Sequence, residues 1–147
     1  MSTNLYRELQ KTSSSMNEYN DCAVKAMAVA TGESYEDCHA AFELGGRKYR
    51  DGTWPHSYKI AADLLGYELT QVWRKHTDPE HLEKFPWVPE CKTPISTERN
   101  IPHDVKCIMV VDGHAIGVRG AKVHDWTTGR RHHVKYFYIV TPKGQSA

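Results

Sequence analysis

Tight-turn dipeptides punctuate the last third of the chain. Val105–Val111, His114–Arg119, Val123–Trp126 and Val134–Val140 are rich in β-branched and aromatic residues. They are separated by Asp112-Gly113, Gly120-Ala121 and Thr128-Gly129-Arg130. Asp-Gly and Gly-Ala suit two-residue hairpin loops, so this region is expected to form a meandering antiparallel sheet. If Gly120-Ala121 is such a loop, Arg119 faces Lys122, Ile116 pairs with Asp125 and His114 with Thr127. Side chains alternate faces along a strand, so His114 and Asp125 then lie on one face as diagonal neighbours. A loop one residue longer would reverse that parity.

The first half reads as helices. Asn17-Glu18-Tyr19-Asn20-Asp21 leads into Cys22-Ala23-Val24-Lys25-Ala26-Met27-Ala28-Val29-Ala30-Thr31-Gly32. Asn20 or Asp21 can cap this helix, and Gly32 can end it in the left-handed conformation. Ser34-Tyr35-Glu36-Asp37 resembles a capping box for a second helix, whose Tyr35, Cys38, Ala41 and Phe42 recur at core spacing, so Cys38 is expected to face inward. A third helix over Ser57–Leu65, a strand over Tyr67–Trp73 and a short helix starting at Thr77-Asp78-Pro79 and running to about Lys84 follow. A long connection spans Phe85 to His103, interrupted by Pro86, Pro89, Pro94 and Pro102, and Cys91 within it is expected to be partly exposed. The polar stretch 1–16 is read as a loosely held arm or one short helix near Leu5–Leu9, with no chemistry assigned to it. The expected architecture is α+β, one domain over residues 1–147, with N-terminal helices packed on one side of a C-terminal antiparallel sheet.

Bulk properties narrow the function classes. With 147 residues the chain can bury a core without staples, and its 39% apolar and 25% charged shares are ordinary for a folded domain. Nineteen basic against eighteen acidic residues leave a net charge of +1. Nothing global therefore points to nucleic acid or a membrane surface. No run reaches a membrane span, and the N-terminus lacks the apolar core of a signal peptide, so a cytoplasmic location is expected. The four cysteines and nine histidines show no Cys-x-x-Cys spacing, and the adjacent His132-His133 would point apart on a strand. Neither a disulfide framework nor a metal site is expected, and no cofactor.

Cys22 falls in the first turn of its helix, where the partial positive charge of the terminus favours thiolate. Asp21 beside it works the other way, since a neighbouring carboxylate raises a thiol pKa, so the sulfur needs a basic partner. His114 stands out because it opens a strand directly after a tight turn; His56, His103 and His124 are the other histidines weighed for that place. A cysteine at a helix start, a histidine on a strand and Asp125 on the next form an activated-nucleophile constellation. His114 would take and return the proton while Asp125 fixes its tautomer. The backbone amide of Cys22 and a side-chain amide, Asn17 or Asn20, would receive the negative charge of an attacked carbonyl. The stretch Gly45–Pro55 reads as a long loop in which Trp54 and Tyr49 could form one wall of a cleft or, equally, an aromatic plug over the core; Trp126 is the other cleft candidate.

Asn17-x-x-x-Asp21-Cys22-Ala23, then Gly113-His114-Ala115-Ile116 and Asp125, resembles the papain-like cysteine peptidase superfamily. It is closest to the branch of bacteriocin-processing peptidases, where a glutamine precedes an Asp-Cys pair and Gly-His opens a strand. The resemblance covers the Cys22 helix and Val105–Val140. It implies a nucleophile-bearing helix packed on an antiparallel sheet, with Cys22 as nucleophile, His114 as general base and acid and Asp125 as orienter. Asn17 stands where the family has its oxyanion-hole glutamine and is one methylene shorter. A peptide or protein substrate is implied, cleaved at an amide or isopeptide bond. The Asp-Cys-Ala-Val and Gly-His-Ala pattern is also similar to small phage and bacterial proteins, implying the cytoplasm of a bacterium or of a phage-infected host.

Three other readings use the same residues. The triad could transfer an acyl group to an amine instead of water. The chain could keep the peptidase shape as an inactive interaction protein. Or Trp126, Arg130-Arg131-His132-His133 and Lys135 could form a phosphate-binding stretch, although such runs are more often solvated hairpins. The plain alternative for each motif is a buried cysteine among alanines and an ordinary turn histidine.

Overall fold

A computed structural model describes residues 5–53, 55–74, 79–89, 94–127 and 131–144, without the side chain of Glu98. Trp54, Thr77-Asp78, Cys91 and Thr128-Gly129-Arg130 lie outside the described residues. Helices α1 (Tyr6–Ser15), α2 (Cys22–Thr31), α3 (Tyr35–Leu44) and α4 (Pro55–Leu65) precede strand β1 (Tyr67–Trp73). Two short helices, α5 (Pro79–Lys84) and α6 (Thr97–Asn100), then lead to β2 (Cys107–Val111), β3 (His114–Arg119), β4 (Lys122–Val123) and β5 (Tyr136–Pro142). The class is α+β. No described helix is long and apolar enough to cross a membrane.

The sheet is antiparallel throughout, in the order β1-β5-β2-β3-β4. Only β2-β3-β4 is a meander, because β5 returns to the far side of β2 and separates it from β1. The two-residue loop at Gly120-Ala121 is present: Arg119 faces Lys122, with both loop residues left-handed at φ 61° and 55°. That conformation matches the twist of the flanking strands, whereas the ordinary turn would splay them. Strand β4 is shorter than expected and stops at Val123, although His124 still donates its amide to the Gly117 carbonyl at 3.1 Å.

The sheet is covered on both faces, not one. Ile108, Ala115, Tyr136, Tyr138 and Val140 turn toward α2, α3 and α4, where Val24, Met27, Cys38 and Phe42 complete one core. Cys107, Met109, Ile116, Val118, Phe137 and Ile139 alternate onto the other face and pack against Phe85, Ile95 and Ile101. The described parts of the proline-interrupted connection thus cover the second core: Phe85, Ile95 and Ile101 are buried although their spacing has no period, and Trp87 and Val88 pack beside them partly buried. Full burial of each such side chain contributes roughly 1.5–3 kcal/mol.

Of the two readings of the N-terminal stretch, the helix is the one found, and it runs longer than expected. This is the ten-residue helix α1, whose Ser13 is buried. Among the helices α2 is the most enclosed, with eight of its ten residues buried. Small residues let it come close to β3: a Cβ on Gly117 would sit 2.6 Å from Val29 Cβ and 2.9 Å from the Ala26 carbonyl.

This contact yields a direct test. Gly117→Ala should push α2 off β3 and destabilise the protein by about 1–3 kcal/mol, the usual range for overpacking. Urea unfolding of the two proteins measures it, and an unchanged midpoint would refute the tight contact.

Candidate active site

The site forms where the N-terminus of α2 meets the start of β3. Cys22 opens α2 and is partly exposed. His114 opens β3 directly after the Asp112-Gly113 turn, in register opposite Val111. Asp125 follows β4 and is buried. His114 Nε2 lies 3.0 Å from Asp125 Oδ2, which leaves Nδ1 as the nitrogen for the sulfur. Thr127 donates both its amide (3.2 Å) and its hydroxyl (2.7 Å) to the same carboxylate oxygen.

The electrostatics follow from these contacts. Burial opposes ionisation of the Cys22 thiol. The hydrogen bond from His114, the amide of Ala115, the imidazole charge and the amide of Ala23 outweigh it and hold the thiol below its ordinary value. The Asp125 carboxylate, and then Cys22 itself, raise His114 to about 9 against the loss from burial. Asp125 is held below the usual carboxylate range because its bonds from His114 and Thr127 outweigh its burial. The other two described cysteines behave oppositely: burial pushes Cys38 up to about 12 and raises Cys107 as well.

Asp21 does not act as expected. It occupies the N-cap position of α2 but makes no capping bond. Its carboxylate instead accepts from Ser13 Oγ (2.6 Å) and Tyr35 Oη (2.5 Å) and pairs with Lys25 Nζ (3.2 Å). These partners outweigh its burial and keep it ionised. With its charge matched by Lys25, it does not keep Cys22 from being lowered.

Two grooves meet at the sulfur. One, of about 220 Å³, is bordered by Tyr6, Asn20, Lys25, Asp125 and Trp126. The other, of about 280 Å³, is largely apolar and bordered by Pro55, Tyr58, Val110, Val111, Ala115 and Tyr136. Trp126 is exposed and borders the first groove, with its ring 5.7 Å from that of His114. Trp54, the other cleft residue proposed from sequence, lies outside the described residues.

Asn17 borders neither groove. Asn17 is exposed, and its carbonyl accepts from Tyr49 Oη (2.7 Å) and Arg50 Nε (2.8 Å). The asparagine bordering the cleft is Asn20, whose Nδ2 donates to the Arg50 carbonyl at 3.2 Å. Tyr49 therefore braces the loop before Cys22 and is not a cleft wall. Among the other histidines, His124 accepts from the Leu5 amide (2.9 Å) and His103 packs under the Gly120 turn. Of the described members of the basic stretch, His132 is buried and Lys135 pairs with Asp112 at 3.2 Å. Among the described residues no group of three or more His, Cys, Asp and Glu side chains is arranged to hold a metal ion.

Sequence comparison with protein-family models and curated proteins, and structural comparison with solved structures, find no match. The geometry alone therefore carries the functional reading.

Sequence reasoning missed the support under the nucleophile. Glu18 is buried and takes both guanidinium nitrogens of Arg47 (3.1 and 3.2 Å), His39 Nε2 (2.6 Å) and the Arg50 amide (2.8 Å). Arg47 also donates to the carbonyls of Tyr19 (3.3 Å) and Asn20 (3.4 Å). This network holds a loop in which Asn17 and Asn20 both take left-handed φ, 55° and 57°. Asparagine tolerates that region better than most residues, which is the one sequence signal that was available.

Two tests follow. Iodoacetamide near neutral pH should modify Cys22 at least about tenfold faster than Cys38 or Cys107, because the thiolate is the nucleophile; mass mapping of modified peptides reads it, and equal rates would refute the activated thiol. Glu18→Ala strands the buried Arg47 charge and should cost about 3–5 kcal/mol in urea unfolding.

Proposed function

We propose that the chain is a cysteine-dependent hydrolase, a peptidase of papain-like type acting on an amide or isopeptide bond. The observation that carries this reading is the convergence of Cys22, His114 and Asp125 on one groove, with the His114 ring held by Asp125 at 3.0 Å; the imidazole then outweighs burial in lowering the thiol. A buried structural cysteine has its pKa raised, as Cys38 does; a nucleophile needs the reverse.

The chemistry follows from the resting charges. The thiolate of Cys22 attacks the carbonyl carbon, and negative charge develops on its oxygen. The backbone amide of Cys22, in the first turn of α2 with no helical carbonyl to bond, is one donor for that charge. Asn20 supplies a second from the cleft wall, since one amide hydrogen engages Arg50 and the other is left over. The His114 imidazolium gives its proton to the departing amine. It then removes one from water, which attacks the thioester and frees Cys22. Asp125 remains ionised throughout, keeping Nε2–H directed at itself and Nδ1 at the sulfur.

Cys22→Ser and His114→Ala should each reduce cleavage of an internally quenched peptide library at least about a thousandfold while leaving the fold intact. Activity should require both thiolate and imidazolium. It rises as Cys22 ionises and is lost as pH passes about 9, where His114 gives up its proton. Full turnover by Cys22→Ser would refute the proposal.

A further inference from the structure

The orienting carboxylate is itself held by something the triad does not include. Thr127 Oγ1 lies 2.7 Å from Asp125 Oδ2 and 3.0 Å from His132 Nε2, and all three residues are buried. The hydroxyl has one proton to give. A hydroxyl oxygen 2.7 Å from an ionised carboxylate oxygen is repelled unless that proton lies between them. The hydroxyl must therefore donate to Asp125 and accept from His132, which requires His132 to carry its proton on Nε2. The histidine is rigidly placed for this. Its amide and carbonyl form a two-bond bridge with Ile95 (2.9 and 2.7 Å), a residue sealed in the second core.

We propose that Thr127 and His132 are positioning residues for the Cys22 site: His132 sets the direction of the Thr127 hydroxyl, which fixes the Asp125 oxygen that orients His114. The proposal rests on reading Cys22 and His114 as the reacting pair. It extends the hydrogen-bonded chain from Cys22 to the segment that covers the opposite face of the sheet. The other charges at the cleft, Asp21 and Lys25, pair with each other and are untouched by changes at Thr127 or His132.

Iodoacetate tests this without a substrate. Its rate with Cys22 rises as the thiol ionises and falls as the imidazolium that attracts the anion is lost. His132→Leu and Thr127→Val should narrow that window from both sides, moving each limb by about 0.5–1 pH unit. His132→Gln, which returns an N–H near Nε2, and Thr127→Ser, which keeps the hydroxyl, should leave both limbs in place. A loss of folded protein alone would lower the amplitude without moving either limb.

Unmoved limbs in His132→Leu and Thr127→Val overturn the proposal, as does His132→Gln shifting as far as His132→Leu. Nitrogen-15 NMR of histidine in the unsubstituted protein gives a second measurement, independent of how the variants fold. A proton on Nε2 of His132 is expected, and a proton on Nδ1 alone overturns the proposal. A single limb at an ordinary thiol value in the unsubstituted protein instead overturns the reacting pair, and the positioning role with it.

Discussion

The close contact between α2 and β3 is the constraint on which the site depends. Cys22 and His114 each open an element, so their separation is set by how those elements pack. Val29 and the Ala26 carbonyl crowd the space above Gly117, leaving room for a hydrogen there and no more. Alanines at 23, 26, 28 and 30 keep the helix slim enough to come this close. A bulkier residue at the contact would lift the helix by a fraction of an ångström or more. The bond between sulfur and imidazole is sensitive to shifts of that size. The packing of the core and the ionisation of Cys22 are thus one problem.

Around that contact, charge is arranged in two separate groups. The cleft holds the Cys22, His114 and Asp125 set, with Asp21 matched by Lys25 beside it. Beneath the loop leading to Cys22, Glu18 is matched by Arg47 and His39. The second group adds no group to the reaction. A buried ion pair of this kind is weak evidence for stability, since desolvation offsets much of its attraction, but it is strict about geometry. Here it fixes two residues with left-handed backbone in front of the helix, and so the direction from which the chain enters α2.

The parts legible in sequence were those governed by local rules. Ser34 accepts the Asp37 amide as a capping residue should, Gly32 ends α2 in the left-handed conformation, and the Gly120-Ala121 turn sets the pairing of Arg119 with Lys122. Asp125 does bond His114, but from the segment after β4, without the strand pairing from which their proximity was inferred. What was not legible came from contacts distant in sequence. The return of β5 beside β2 depends on where the chain travels after Thr127. The burial of Phe85, Ile95 and Ile101 has no period to betray it. Glu18, His39 and Arg47 look like solvent-facing charges until the fold brings them together. Asp21 was misread for the same reason: as a neighbour it should trouble Cys22, but Ser13, Tyr35 and Lys25 claim its carboxylate.

The opposed shifts at Cys22 and His114 also separate stability from reactivity. Unfolded, the pair would titrate near 6.5 for the imidazole and 9.0 for the thiol. Between those values the unfolded pair holds one proton, on sulfur. In the folded pair the lowered thiol and the His114 ring, raised to about 9, shift that proton from sulfur toward nitrogen. Taken singly, the raised histidine stabilises most below 6.5 and loses that contribution as pH rises toward about 9. The lowered cysteine stabilises most above 9.0 and loses its contribution as pH falls. Across the interval the two slopes have opposite signs and offset one another. Folding there favours moving a proton from sulfur to nitrogen within one molecule. The pair thus makes stability vary less with pH than either shift would alone, because the contribution that histidine loses as pH rises is offset by the one that cysteine gains.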